Sequence, residues 1–131
     1  MRILLDTNAF LWWMAGSPKL GGTATGTIAA AENEILLSTI VVWEVVIKRA
    51  LGRLDLQGET AEVVREAVDR QGFVPLSFAH EHALAVERLA HVHGDPFDRA
   101  LIAQARCENA TLLTSDGIFE RYPVAMADAR K

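Results

Sequence analysis

The stretch ILLDTNAFLWWMA, residues 3–15, decides the fold of this chain. Its first three residues are apolar and predict a short buried strand. Asp6, Thr7 and Asn8 follow, and these residue types favour turns and helix caps. Residues 9–15 then predict a helix, so the local order is strand, polar loop, helix. A buried strand that leads directly into a helix is typical of a parallel sheet.

The same alternation continues along the rest of the sequence. Further strands are predicted at 34–38, 73–76 and 111–114, with a last edge strand at Val124. Helices are predicted between the strands, over 27–32, 40–51, 59–70, 78–89 and 95–107, with a helical turn over 118–121. Gly and Thr are too frequent in 21–26 for an assignment there. The sequence therefore predicts an α/β fold with a short parallel sheet and helices on both faces.

Length and composition limit the class of protein. At 131 residues, of which half are apolar and 23% are charged, the chain is predicted to form a single domain over 1–131. The lone cysteine, Cys107, excludes an internal disulfide and fits a reducing, cytoplasmic location. Cys107 is predicted to be a small core residue. No apolar run approaches the length of a membrane span, so neither membrane insertion nor export is expected.

The charge of the chain bears on the ligands it could bind. Thirteen basic and 17 acidic residues give a formal net charge of −4, without the excess of Lys and Arg that marks most sequence-reading DNA-binding proteins. If the protein acts on nucleic acid, another source of positive charge is needed. A divalent metal held by carboxylates would supply it.

Two acids follow predicted strands directly. Asp6 comes after the first strand and Asp116 after the strand at 111–114, and Ser38 ends the strand between them in sequence. Because parallel strands end at the same edge of a sheet, these polar residues are predicted to converge where α/β proteins bind ligands. Asp6 is equally explained as a helix cap, and Asp116 as a turn former.

Glu44 is informative because its surroundings are apolar. It lies within 40–47, where all the other residues are apolar, and this stretch is therefore predicted to be buried. An ion pair with Lys48, one turn later, is the simplest alternative. An exposed pair of that kind contributes only about 0.3–0.5 kcal/mol, which favours metal ligation as the reason for Glu44.

Two further acids flank Pro96 at the start of a predicted helix. Asp95 is predicted to be the N-cap of that helix. Asp98 would lie in the first turn, near the carboxyl ends of the strands, where it could hold a cation.

Four segments of the chain resemble the PIN-domain ribonucleases and, among them, the toxin component of VapBC-type toxin–antitoxin pairs. The segments are Leu4-Leu5-Asp6-Thr7-Asn8, Ser38-Thr39 with Trp43-Glu44, Asp95-Pro96-Phe97-Asp98-Arg99, and Leu112-Leu113-Thr114-Ser115-Asp116. Each motif is weak singly, but all four occur in order at similar spacings. The resemblance implies that four acids are both the catalytic and the metal-binding residues: Asp6, Glu44, Asp98 and Asp116.

The resemblance also implies a function. It predicts a PIN-like domain that cleaves RNA with Mg²⁺ or Mn²⁺, forms a homodimer and is inhibited by an antitoxin protein. The alternative is a PIN-like protein-binding module with little or no nuclease activity. Whether Asp95, Asn8 or Thr114 assists at the site stays open.

Other residues have competing explanations. Lys48, Arg49, Arg53 and Arg99 are candidate phosphate contacts, although the first two could be solvated helix charges. Trp12, Trp13 and Trp43 could stack on bases, pack in the core or anchor a partner, with Trp12 or Trp13 as the predicted anchor. The pairs His80/His82 and His91/His93 are not expected to bind zinc, because residues two apart on a helix do not share a face.

Overall fold

The computed structural model describes residues 1–90, 94–117, 122 and 124–131. Its centre is a five-stranded sheet of order β3-β2-β1-β4-β5, in which all neighbouring strands are parallel. The strands are β1 (Arg2–Leu5), β2 (Glu34–Ser38), β3 (Val74–Leu76), β4 (Thr111–Thr114) and β5 (Met126–Asp128). The predicted α/β fold is confirmed. The last strand, however, is at Met126–Asp128 and not at Val124.

Helices connect the strands. They are α1 (Thr7–Ala15), α2 (Gly22–Ala29), α3 (Thr39–Ala50), α4 (Thr60–Arg65), which continues as a π-helical turn over Glu66–Arg70, α5 (His80–Val86) and α6 (Pro96–Cys107). The helix predicted at 78–89 is shorter than expected, and the turn predicted at 118–121 lies outside the described residues. In the part of the chain that the structure describes, no helix has the length and apolar character to cross a membrane.

The sheet is apolar because it is covered on both faces. Ile3, Leu4 and Leu5 of β1 are at most 1% exposed, as are Leu112 and Leu113 of β4. β1 is the central strand and pairs with β2 on one side and β4 on the other. The carboxyl ends of these three parallel strands therefore lie side by side. We call this side of the sheet the carboxyl edge.

Polar side chains at strand and loop ends start three of the helices. Asp6 caps α1, Ser38 Oγ accepts from the N–H of Ile40 at 3.0 Å to start α3, and Asp95 Oδ1 accepts from the N–H of Phe97 at 2.9 Å to start α6. The first two caps leave no loop between strand and helix. Residues that follow β1 and β2 are therefore held rigidly at the carboxyl edge.

The helix predicted at 27–32 is wrong in position, since α2 covers Gly22–Ala29. Its start depends on the far end of the chain: the N–H of Gly21 donates to the carbonyl of Ala129, and that of Thr23 to the carbonyl of Lys131, both at 2.9 Å. A Cβ at position 21 would lie 2.1 Å from the backbone of Lys131, so this close approach requires glycine. No local pattern reveals such partners.

Cys107 is exposed, which contradicts its predicted place in the core. It is the last residue of α6, where the helix leaves the sheet. The residues of α6 that pack in the core are earlier ones, such as Leu101 and Ile102.

Candidate metal centre

Asp6 stands at the end of the central strand and is only 6% exposed. Its Oδ1 accepts from the N–H of Ala9 at 2.7 Å, and its Oδ2 accepts from Thr114 Oγ1 at 2.7 Å and from the N–H of Ser115 at 3.3 Å. Burial raises the pKa of Asp6, and the charge of Glu44 adds to this, while the three hydrogen bonds oppose it. A cation beside Asp6 would therefore stabilise its ionised form.

Glu44 is also buried, with 4% of its surface exposed, on α3. Its Oε1 accepts from Thr7 Oγ1 at 2.5 Å, and its Oε2 lies 2.7 Å from Lys48 Nζ. The ion pair that the sequence offered as the alternative explanation of Glu44 is therefore present. Thr7 was not singled out from the sequence. Its role depends on α1 packing against α3, which no local motif shows.

Thr114 connects the end of β4 to Asp6. The hydroxyl of Thr114, which is buried, donates to Asp6 and accepts from the N–H of Asp116 at 3.0 Å. Asn8 Nδ2 also reaches this loop and donates to Ser115 Oγ at 3.4 Å. The backbone of Asp116 is thus tied to Asp6 through a single hydroxyl group.

Asp98 lies in the first turn of α6, where its N–H donates to Asp95 Oδ1 at 3.3 Å. Asp95 is confirmed as the helix cap. The ring of Phe97 meets the ring of Trp43 edge to face, with centroids 5.1 Å apart. Since Trp43 directly precedes Glu44, this ring contact holds the start of α6 against α3.

The four predicted acids are more widely spaced than another group of potential metal ligands. Among residues 1–90, 94–117, 122 and 124–131, the group of three potential ligands whose atoms all lie within 4.8 Å of one another is Glu81, His82 and Glu108. No three of the predicted acids meet that spacing there. Contacts link Asp6, Glu44 and the loop of Asp116 at the carboxyl edge, and the four acids as one ligand set stay a prediction.

Comparison with known proteins identifies the fold family. The sequence pattern of the PIN domain matches residues 3–125. The chain belongs to the PIN domain family. The resemblance drawn from the four segments is thereby confirmed, and the match spans every strand except the last.

Solved structures agree with this assignment. The PIN domain is similar to a chain of VapBC2 from Rickettsia felis bound to a DNA fragment from their promoter, with TM-score 0.73, 18% identity and coverage of 97% of this chain and 98% of the other. It is also similar to FitAcB from Neisseria gonorrhoeae, with TM-score 0.65, 22% identity and coverage of 97% of each chain. A third similar structure is VapBC-1 from nontypeable Haemophilus influenzae, with TM-score 0.66, 20% identity and coverage of 100% of each chain. At these identities the likeness shows the fold. A comparison with curated protein sequences found no match.

A second cluster of ligand-type side chains in this PIN domain is structural. His82 is 2% exposed; its Nδ1 accepts from the N–H of Ala79 at 2.9 Å, and its Nε2 lies 2.9 Å from Glu108 Oε2. The ring proton of neutral His82 is therefore on Nε2 and points at Glu108. A metal at Nε2 would force that proton onto Nδ1, against the Ala79 N–H, so the cluster does not fit zinc. The sequence argument against zinc missed Glu108, which directly follows α6.

The cluster around His82 is also compensated in charge. Arg2 Nη2 lies 3.3 Å from Glu108 Oε1. The hydrogen bond with His82 holds the pKa of Glu108 below its usual range, with Arg2 contributing in the same direction. Of the other histidines, His80 is exposed, and His91 and His93 lie outside the described residues.

The carboxyl edge fits a hard divalent cation better. Its side chains offer carboxylate and hydroxyl oxygens, the ligand atoms that Mg²⁺ and Mn²⁺ take in proteins. Asp6 and Glu44 are both buried, and Lys48 forms an ion pair with Glu44. The residues present therefore fit such an ion.

The basic residues near this edge are mostly engaged elsewhere. Arg99 was a candidate phosphate contact, but it is 8% exposed and donates to the carbonyls of Ala90 at 2.8 Å and Val86 at 3.2 Å. That prediction is wrong, because the guanidinium holds the end of α5. Arg49 donates to the carbonyl of Gly58 at 2.8 Å and so fixes the loop before α4.

The three tryptophans differ in their exposure to solvent. Trp12 and Trp13 are half-buried against the core, and Trp13 Nε1 donates to Gln71 Oε1 at 2.6 Å. Trp43 is 54% exposed. Trp43 is therefore the most exposed of the three indoles, and Trp12 or Trp13 as the anchor of a partner stays a prediction.

Proposed function

We propose that this single PIN domain, over residues 1–131, is a Mg²⁺- or Mn²⁺-dependent endoribonuclease whose centre is formed by four acids: Asp6, Glu44, Asp98 and Asp116. The observation that carries the proposal is Asp6, a buried carboxylate with a raised pKa at the end of the central strand. Helix capping alone would use one of its oxygens, whereas Thr114 and Ser115 orient the other.

The protein's own residues prepare the centre in advance. Thr114 and the N–H of Ala9 fix the plane of the Asp6 carboxylate, and Thr7 fixes one oxygen of Glu44. A bound divalent ion supplies an activated water and neutralises charge on the scissile phosphate. Fixed carboxylates favour such chemistry because no reorganisation is needed when the substrate arrives.

The charge of the protein bears on how a substrate would be held. The net charge is −4, and Arg99, one of the candidate phosphate contacts, is buried. A backbone with phosphodiester groups is therefore recognised mainly at the metal. RNA as the substrate, and hence action in the cytoplasm, rests on the family.

We also propose that the protein is the toxin of a toxin–antitoxin pair, that it is a homodimer, and that an antitoxin protein inhibits it. The support is the likeness of fold to chains of VapBC and FitAcB complexes, together with the exposed Trp43 beside the acids. Light scattering of the purified protein, alone and with the product of the neighbouring reading frame, tests both statements. A strict monomer that captures no such protein would contradict them.

The alternative, a PIN-like protein-binding module, is favoured by one observation. Glu44 is paired with Lys48, as a purely structural carboxylate would be. Such a module would keep its fold and its partner but would not cleave RNA when metal is added.

A metal titration of RNA cleavage distinguishes the two functions. Cleavage should rise with Mg²⁺ or Mn²⁺, stop on addition of a chelator, and be lost in Asp6→Asn. Asp55→Asn is the matched control, because Asp55 is exposed on the loop before α4. Cleavage that is indifferent to the metal, or fully retained in Asp6→Asn, would refute the nuclease proposal.

A further inference from the structure

The Glu44 carboxylate has both oxygens occupied. Thr7 Oγ1 donates to Oε1 at 2.5 Å, and Lys48 Nζ lies 2.7 Å from Oε2. The oxygen facing Lys48 is thus neutralised by a full positive charge, while the other receives only a neutral hydroxyl. A divalent cation that binds Glu44 through Oε2 meets the ammonium group at that oxygen.

The two partners of this ion pair differ in their access to water. The Glu44 side chain is 6% exposed, whereas the Lys48 side chain is 43% exposed. Glu44 is fixed by Thr7 from α1, and Lys48 follows it by one turn on the surface of α3. The lysine is therefore the partner that can leave, because its ammonium group can regain its hydration with little movement of the stem.

Two positive ions do not share the oxygen at low cost. A divalent cation and an ammonium group held on one carboxylate repel each other, and the buried setting screens that repulsion poorly. Asp6 and Glu44 are nevertheless both buried at this edge, and a cation stabilises a buried carboxylate.

We propose that Lys48 is a resident counter-ion of Glu44 that a divalent metal displaces, so that metal binding is an exchange of cations at Oε2. Lys48 is then a positioning residue that stabilises the metal-free protein and lowers its apparent metal affinity. This inference rests on the proposed metal centre, and it concerns affinity and stability without reference to cleavage.

The exchange predicts two effects of opposite sign in Lys48→Met. Without metal, the variant should unfold at a lower temperature, because Glu44 keeps its buried charge and loses its cation. With metal, it should bind Mg²⁺ about fivefold more tightly, as expected when one partly exposed ion pair no longer competes. Calorimetric titration with MgCl₂ and thermal melts in chelator measure the two effects separately.

Two further variants serve as controls. Lys48→Arg keeps a positive charge one turn after Glu44 and should bind Mg²⁺ like the natural protein. Arg49→Met removes the same charge one residue later, from a side chain that contacts Gly58 and Thr60 and not Glu44, and should leave the affinity unchanged. If Lys48→Met does not fold, Lys48→Gln replaces it.

The outcomes separate this inference from the proposed function. Unchanged or weaker Mg²⁺ binding in Lys48→Met, with metal binding intact in the natural protein, would overturn the exchange and leave the nuclease proposal standing. An equal gain in affinity in Arg49→Met would also overturn it, since long-range charge would then explain the effect. If the natural protein binds no divalent metal, both proposals fail.

Discussion

The two ends of helix α6 carry similar side chains in opposite electrostatic states. At its start, Asp98 lies in the first turn, and α6 packs against α3, the helix of Glu44. Burial raises the pKa of Asp6 at the neighbouring carboxyl edge. At its end, Glu108 meets His82 and Arg2, and its pKa is lowered. One end lies beside two buried carboxylates, and the other end is compensated by an arginine and a histidine.

This difference shows that the spacing of ligand atoms is a poor guide to a metal site by itself. The compensated end has the tighter group, with three ligand atoms within 4.8 Å. Its His82 ring is committed to two hydrogen bonds and its Glu108 to an arginine. We expect the divalent ion at the other end, where Asp6 and Glu44 are buried and the potential ligands are more widely spaced.

The largest expected effect separates the two ends by activity. Asp98→Asn and Asp116→Asn should each lower RNA cleavage by about two orders of magnitude, because each removes a charged oxygen ligand. Glu108→Gln, at the compensated end, should cleave like the natural protein. Rates measured at saturating Mg²⁺ test this, and equal losses at both ends would abolish the distinction.

The next effect compares metal-induced stabilisation at the carboxyl edge, which contains Glu44, with that at the His82 cluster, which contains Glu81. A metal present at 100 times its Kd stabilises the native protein by about 2.7 kcal/mol, which corresponds to a Tm shift of roughly 8 °C for a chain of this size. Glu44→Gln should reduce this shift by more than half, whereas Glu81→Gln should retain it. Thermal melts with and without MgCl₂ provide the measurement. A full shift in Glu44→Gln would make Glu44 a structural partner of Lys48.

A smaller effect concerns the pH dependence of the compensated end. Because the folded pKa of Glu108 is lowered, its ionised form stabilises the fold above the ordinary glutamate pKa of about 4.3, and that stabilisation is lost as the pH falls through the lowered value. Glu108→Gln should therefore lower the free energy of unfolding by about 1 kcal/mol at pH 7. In denaturant titrations, the difference in the free energy of unfolding between the variant and the natural protein should become smaller below pH ~4.3. A difference that is independent of pH would exclude charge as its cause.

The smallest effect is expected next to Glu108. Cys107 is exposed, so Cys107→Ser should change the free energy of unfolding by less than about 0.5 kcal/mol. The thiol of the native protein should also react with a water-soluble reagent without denaturant. A large loss of stability would place Cys107 in the core after all.

The elements that the sequence predicted correctly are those with local causes. The strand at 2–5 and the helix at 39–50 have apolar runs bounded by capping residues, Asp6 and Ser38. Asp95 was identified as a cap from the acid and proline that open α6. In such segments the hydrogen bonds that start or end the element come from neighbours in sequence.

The parts that could not be predicted depend on distant residues. N–H groups at the start of α2 donate to the carbonyls of Ala129 and Lys131. Arg99 donates to carbonyls at and beyond the end of α5 and so does not reach the carboxyl edge as a phosphate contact. Lys48 illustrates the same limit at the site. Its position one turn after Glu44 offered the ion pair only as an alternative to metal ligation. The contrast between a buried glutamate and a half-exposed lysine depends on the packing of α1 on α3.

The pairing of β1 with β4 determines when the candidate centre can exist during synthesis. Asp6 is synthesised before Leu113 and Thr114, which bond to it and come 107 and 108 positions later. A nascent chain holds Asp6 and Glu44 but lacks the strand that completes the carboxyl edge, and contacts this distant in sequence form late and slowly. Thr114 of β4 follows Asp6 by 108 positions, so the proposed nuclease would be inactive until β4 has been synthesised and paired with the central strand.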